Sequence, residues 1–204
     1  LYFNFEEITP RIAEIIGQFE GYAIRLPHLK KLSIGDARGL AAFEPQVHYT
    51  ESTEVYLEIL DYNFTDLMPD ALGEFRSYDG RLYIGLHHYK MTNIDIEGLA
   101  QCTGALHFKT KLPEIEDLSK IIENKKEISF YFNDGRIFDP KMAVQITKFK
   151  GEMIELSMRT IPEDVADVLK SLGGKLTIGG TKLSKKVENI FKKYGVNMNR
   201  CEIE

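Results

Sequence analysis

The chain has 204 residues, 43% hydrophobic and 28% charged, with a formal net charge of −5. That length buries a substantial core, and the composition is that of an ordinary globular chain. No apolar run approaches the roughly 18 residues a membrane span needs, and no basic, apolar, small-residue leader opens the sequence. Cys102 and Cys201 sit in unrelated contexts, so neither a disulfide framework nor a Cys-based metal site is expected.

The net charge hides an asymmetry. Residues 1–100 hold 8 Lys/Arg against 16 Asp/Glu, and residues 101–204 hold 18 against 15. The acids concentrate between Glu44 and Asp79, with Glu51, Glu54, Glu58, Asp61, Asp66, Asp70 and Glu74 opposed only by Arg76. Such a field repels a nucleic-acid backbone and would steer a basic protein.

In chain order, the first predicted element is an amphipathic helix over Ile8–Phe19, with Ile12, Ile15, Ile16 and Phe19 on one side and Pro10 in its first turn. Residues 1–28 are therefore read as a capping segment. Apolar–x–apolar pairs then recur: Leu32/Ile34, Leu57/Ile59, Leu82/Ile84, Leu106/Phe108, Phe130/Phe132, Leu156/Met158 and Leu176/Ile178. Their first members lie 25, 25, 24, 24, 26 and 20 residues apart. A period of that size marks a repeat architecture.

Each pair lies in a short alternating stretch, such as Val55–Ile59, Ile128–Phe132 and Ile154–Met158, which predicts a strand with one buried face. Helical spacing fills the intervals most clearly at Ile115–Ile122, Val165–Leu172 and Val187–Tyr194. Prolines and acids at Pro113-Glu114 and Pro162-Glu163-Asp164 mark starts, while Gly173-Gly174 and Gly195 mark stops. Helices are least convincing after Leu57 and Leu82, where Pro69, Gly73, Gly98 and Gly104 interrupt the pattern. Strand and helix in alternation favour right-handed βα units with parallel strands.

These units resemble leucine-rich repeats. Leu29, Leu32 and Ile34 fit the first three positions of the family pattern, and Phe64, Tyr89, Ile137 and Leu183 stand seven residues after the first apolar member. The asparagine that closes the usual repeat is missing from every unit. The resemblance implies an α/β fold: a right-handed βα solenoid with a parallel curved sheet. As a single domain over 1–204, it would hold its repeats in residues 29–195, before a polar tail at 196–204.

If the apolar pairs point inward, the residues between and beside them form an exposed sheet face. Its central column reads Ser33, Glu58, Tyr83, His107, Tyr131, Ser157 and Thr177. The flanking columns add Lys31, Tyr56, Arg81, Ser129, Glu155 and Lys175 on one side, and Lys109, Asn133 and Arg159 on the other. Tyr and Arg dominate binding hot spots, so the expected partner-binding residues are Tyr56, Glu58, Arg81, Tyr83, His107, Lys109, Tyr131, Asn133 and Arg159.

Catalytic signatures are weak. His87-His88 would face opposite ways on a strand, His28, His48 and His107 have no ligand partner at useful spacing, and the Gly pairs carry no phosphate-loop spacing. No cofactor or metal is expected. The lysines of 182–193 read as a solvated helix face rather than a nucleic-acid patch. The reading is a non-enzymatic, cytoplasmic protein-binding scaffold, with no membrane or nucleic-acid role. Such scaffolds include inhibitors and immunity or antitoxin proteins for a basic partner. The alternative is an enzymatic or small-ligand domain with a pocket at the strands' carboxyl ends, using Glu58, Tyr83 and His107. Partner identity and oligomeric state are not encoded legibly.

Overall fold

A computed structural model of the chain describes residues 1–44, 56–59, 66–86, 91–110, 115–123, 125–132, 138 and 140–203. The architecture is α/β. The longer strands are β1 (Ala23–Leu26), β3 (Tyr56–Ile59), β5 (Arg81–Leu86), β6 (Leu106–Thr110), β7 (Glu127–Tyr131), β8 (Met153–Ser157), β9 (Leu176–Gly179) and β11 (Asn197–Asn199). They form one eight-stranded sheet in the order β1-β3-β5-β6-β7-β8-β9-β11, and every pairing described is parallel. Short two-residue strands make two further parallel ladders: β2 (Lys31–Leu32) with β4 (Asp66–Leu67), and β10 (Lys182–Leu183) with β12 (Glu202–Ile203). The chain divides into two compact units, Leu1–His107 and Phe108–Glu204.

In the first unit, α1 (Pro10–Gly17), α2 (Ile34–Ala41), a 3₁₀ helix at Ala71–Ser77 and α3 (Asn93–Gln101) alternate with the strands. Thr9 caps α1 and Pro10 occupies its first position, where its missing N–H costs nothing. Ser33 and Thr92 open α2 and α3 with reciprocal capping boxes to Asp36 and Asp95. The core is Ala13, Ile16, Ile24, Leu26, Leu40, Leu57, Phe75, Leu82 and Ile84, each at most 5% exposed. Leu57 pairs with Leu82, Ile59 with Ile84 and Ile24 with Leu57, so the apolar repeat is also the hydrogen-bonded register.

The second unit contains α4 (Ile115–Ile122), α5 (Pro140–Ile146), α6 (Glu163–Leu169), a 3₁₀ helix at Lys170–Lys175 and α7 (Lys185–Lys193). Leu118, Ile121, Ile122, Val165, Ala166, Leu169, Val187 and Phe191 are fully buried. Their helical spacing is the one read from sequence. Behind them lie Ile128, Phe130, Ile154, Leu156, Leu176 and Ile178 on the strands.

Four expectations need correction. Leu32/Ile34 is not the first pair of the main sheet: Leu32 lies in the small β2–β4 ladder and Ile34 begins α2. The main sheet starts earlier, with Ile24 and Leu26, inside the stretch read as a cap. At the other end Leu156 pairs with Ile178 rather than Leu176, so the seventh pair is offset by two residues. The buried side of α1 is Ala13, Ile16 and Gly17, whereas Ile12 and Ile15 remain exposed, because glycine and alanine let α1 approach α2 closely. The stretch read as a polar tail supplies β11 and β12. Phe64, Tyr89, Ile137, His48 and His87-His88 lie outside the described residues.

Candidate binding face

Alternation along the strands turns every second side chain away from the buried apolar set. In the first unit the side turned away carries Arg25, Glu58, Arg81, Tyr83 and His107. Arg25 and Glu58 are register partners on adjacent strands, and Arg25 Nε stands 3.4 Å from Glu58 Oε2. Glu58 in turn pairs in register with Tyr83. The Tyr83 ring stacks on the His107 imidazole, with centroids 4.2 Å apart and planes 10° from parallel. Neighbouring parallel strands lie at nearly stacking separation, so two in-line rings meet face to face.

Burial divides this group. Arg81 and Tyr83 are half-buried, the Arg25 side chain is half-exposed, and His107 is only 7% exposed beneath its stacked neighbour. His107 thus supports Tyr83 more than it offers a surface of its own. Tyr56 pairs with Arg81 across β3 and β5, which puts both in one column, as expected. Nothing is described of the Tyr56 and Lys109 side chains, although both residues lie in strands, and Asn133 falls outside the described residues.

In the second unit, Tyr131, Glu155, Ser157 and Thr177 keep partial solvent contact on the same side of their strands, while Ser129 beside them is 1% exposed. Tyr131 donates its phenolic hydrogen to Glu155 Oε2 at 3.2 Å. The register places Ser129, Glu155 and Thr177 in one column and Tyr131, Ser157 and Gly179 in the next. Thr177 therefore leaves the central column it was assigned. Arg159 is exposed just beyond β8, where its carbonyl accepts from the Lys182 amide.

Sequence reasoning missed Arg25, because residues 1–28 were read as a cap. The signal was present in the alternation Ile24-Arg25-Leu26, buried-exposed-buried in the structure. It also overcounted free acidity. Glu58 is held by Arg25, and Asp70 accepts from Thr92 Oγ1 at 2.6 Å. Glu74 takes both Nε and Nη2 of Arg38 at 3.0 and 3.2 Å, and that bond holds its carboxyl below the usual carboxylate range. Three described acids of the 44–79 stretch are thus engaged within the molecule, and Glu51, Glu54 and Asp61 lie outside the described residues.

Among the described residues, no cluster of three or more His, Cys, Asp or Glu could hold a metal ion, and no helix is long and apolar enough to cross a membrane. Both cysteines are free thiols, with Cys102 donating to the Tyr78 carbonyl at 3.1 Å. Comparison with family models, with curated proteins and with solved structures finds no match for this chain.

Proposed function

We propose that this chain is a non-enzymatic scaffold that binds another protein through its sheet face, on a leucine-rich-repeat-like βα solenoid. The observation that carries the reading is the paired aromatic and arginine content of that face. Arg81 and Tyr83 stand on one strand, with Tyr83 backed by His107. A stacked, half-buried tyrosine gives large amphipathic contact area with little conformational entropy left to lose. The strict sequential order of parallel strands and the two small ladders beside the main sheet support the solenoid reading.

A basic partner, as for an inhibitor or immunity protein, draws less support than the acidic count implies, since Glu58, Asp70 and Glu74 already have partners. The enzymatic alternative rests on Glu58, Tyr83 and His107. There Glu58 is held by Arg25 and His107 is nearly sealed from solvent, which favours binding over proton transfer.

The test is capture from host lysate with wild-type protein beside Tyr83→Ala and Tyr131→Ala, followed by affinity measurement on the partner identified. Each variant is expected to keep a cooperative melt and to weaken binding by about 2 kcal/mol, near thirtyfold. Lys193→Ala, on the exposed side of α7, is expected to change nothing. Undiminished binding by both tyrosine variants would remove the face from the reading.

A further inference from the structure

We infer that the outer face of α1 docks against the same face of a second copy of this chain, with the two helices antiparallel. This contact is separate from the sheet face. Within the first unit, α1 packs on α2, α2 on the 3₁₀ helix at Ala71–Ser77, and that helix on α3, so α1 ends the row. The sheet ends on the same side. Tyr2 bridges Arg25 in parallel, and the Phe3 amide donates to the Arg25 carbonyl at 2.9 Å, while β1 pairs with β3.

A stack of repeats needs a polar outer face where it ends. The helix α7 exposes Lys185, Lys186, Lys192 and Lys193. The helix α1 instead exposes isoleucine. Six of the twelve exposed large hydrophobic side chains among the described residues fall within residues 1–22, and Leu1, Tyr2, Ile12 and Ile15 belong to the two outermost elements. A concentration of that kind marks an interaction surface.

The spacing along α1 selects the partner. Ala13 and Gly17 turn toward Gly39 of α2, where an added Cβ would stand 2.8 Å from the Ala13 Cβ. Ile12 and Ile15 remain outside, 37% and 58% exposed. Ile8 stands one residue before the Thr9 cap and Phe19 one residue after the closing Gln18, and both are half-buried. Ile12 and Ile15 lie equally far from the midpoint of the helix, and so do Ile8 and Phe19. An antiparallel copy therefore sets Ile12 on Ile15 and Ile8 on Phe19, each twice, which is the self-complementarity a two-fold contact requires. The intervals of 4, 3 and 4 residues are those of a coiled-coil seam. Arg11 and Glu14 neutralise each other at 3.1 Å along one flank, so no net charge on the helix opposes its copy.

The test is sedimentation equilibrium of the whole chain from about 1 μM to 1 mM. The average mass is expected to rise from 23.4 kDa toward twice that value. Ile12→Lys and Ile15→Glu, both at exposed positions, are each expected to keep a cooperative melt and to weaken self-association at least tenfold. An equimolar mixture of the two variants is expected to restore it, because Lys at 12 then meets Glu at 15 while Ile15 meets Ile12. Val144→Glu, on the exposed side of α5, is expected to leave the mass unchanged. A mass of 23.4 kDa at every concentration, dimerisation retained by either single α1 variant, or no recovery in the mixture would overturn the contact.

Discussion

The helices of the two units pack by different means. In the first unit, contact is made by backbone: a Cβ on Gly98 would stand 2.5 Å from the Gly73 carbonyl oxygen, and one on Gly39 would stand 2.6 Å from the Glu14 amide nitrogen. In the second unit, contact is made by side chains, with Leu118, Ile121, Val165, Leu169, Val187 and Phe191 buried at helical spacing. Glycine in a helix interior costs about 1 kcal/mol of propensity. It persists where close approach returns more than that. The lesson is that glycines which break an apolar stripe can be the contact surface itself.

The largest expected effect breaks this comparison directly. Gly98→Leu is expected to destabilise the chain by about 3 kcal/mol or more, because the new side chain meets backbone that cannot yield. Gly174→Ala, with only the Gly195 carbonyl at 3.8 Å, is expected to change stability by no more than about 0.5 kcal/mol. Denaturant unfolding measures both, and equal effects would mean that the first unit's helices are not held by glycine contact.

A smaller effect sharpens the comparison within the first unit. Asp95→Ala removes a cap and also strands the Leu72 amide, so about 2 kcal/mol or more is expected. Asp36→Ala removes only the cap, and about 1 kcal/mol is expected. A difference near zero would show that the bond from Asp95 to the preceding turn contributes nothing to stacking.

The smallest effects are in acid. Arg38 holds the Glu74 carboxyl below its usual range, and Lys185 followed by Lys192 does so for Glu188 on α7. A carboxyl whose folded pKa is depressed adds stability that is present above its unfolded value. That stability is lost as pH falls through the folded value. Melting temperature is therefore expected to fall on acidification below about pH 4.5. Arg38→Met and Lys185→Met should each flatten part of that slope, and an unchanged slope in both would place the acid sensitivity elsewhere.

Legibility followed the same division. In the second unit, Val165-Ala-Asp-Val-Leu and Val187-Glu-Asn-Ile-Phe announce α6 and α7 by period alone, and both fold as read. In the first unit Gly98 hid α3, although Thr92 and Asp95 mark its start as clearly as Ser33 and Asp36 mark that of α2. The candidate face was legible wherever strands alternated, which placed Arg81 and Tyr83 correctly on one strand with Tyr83 against His107. Arg25 escaped because a four-residue strand gives too little alternation to compete with the helical pattern before it.

Between Leu57 and Leu156, and in α4, α6 and α7, the sequence by itself determined the inward set of apolar residues, because it follows from local periods of two and 3.6. Only the tertiary structure decided where the sheet begins, that Leu156 stands beside Ile178, and which carboxylates remain available to a partner. A shift of two residues leaves every side chain on the same face, so the pattern cannot distinguish Leu176 from Ile178 opposite Leu156. Hydrogen bonding between backbones and the length of the intervening turn make that choice.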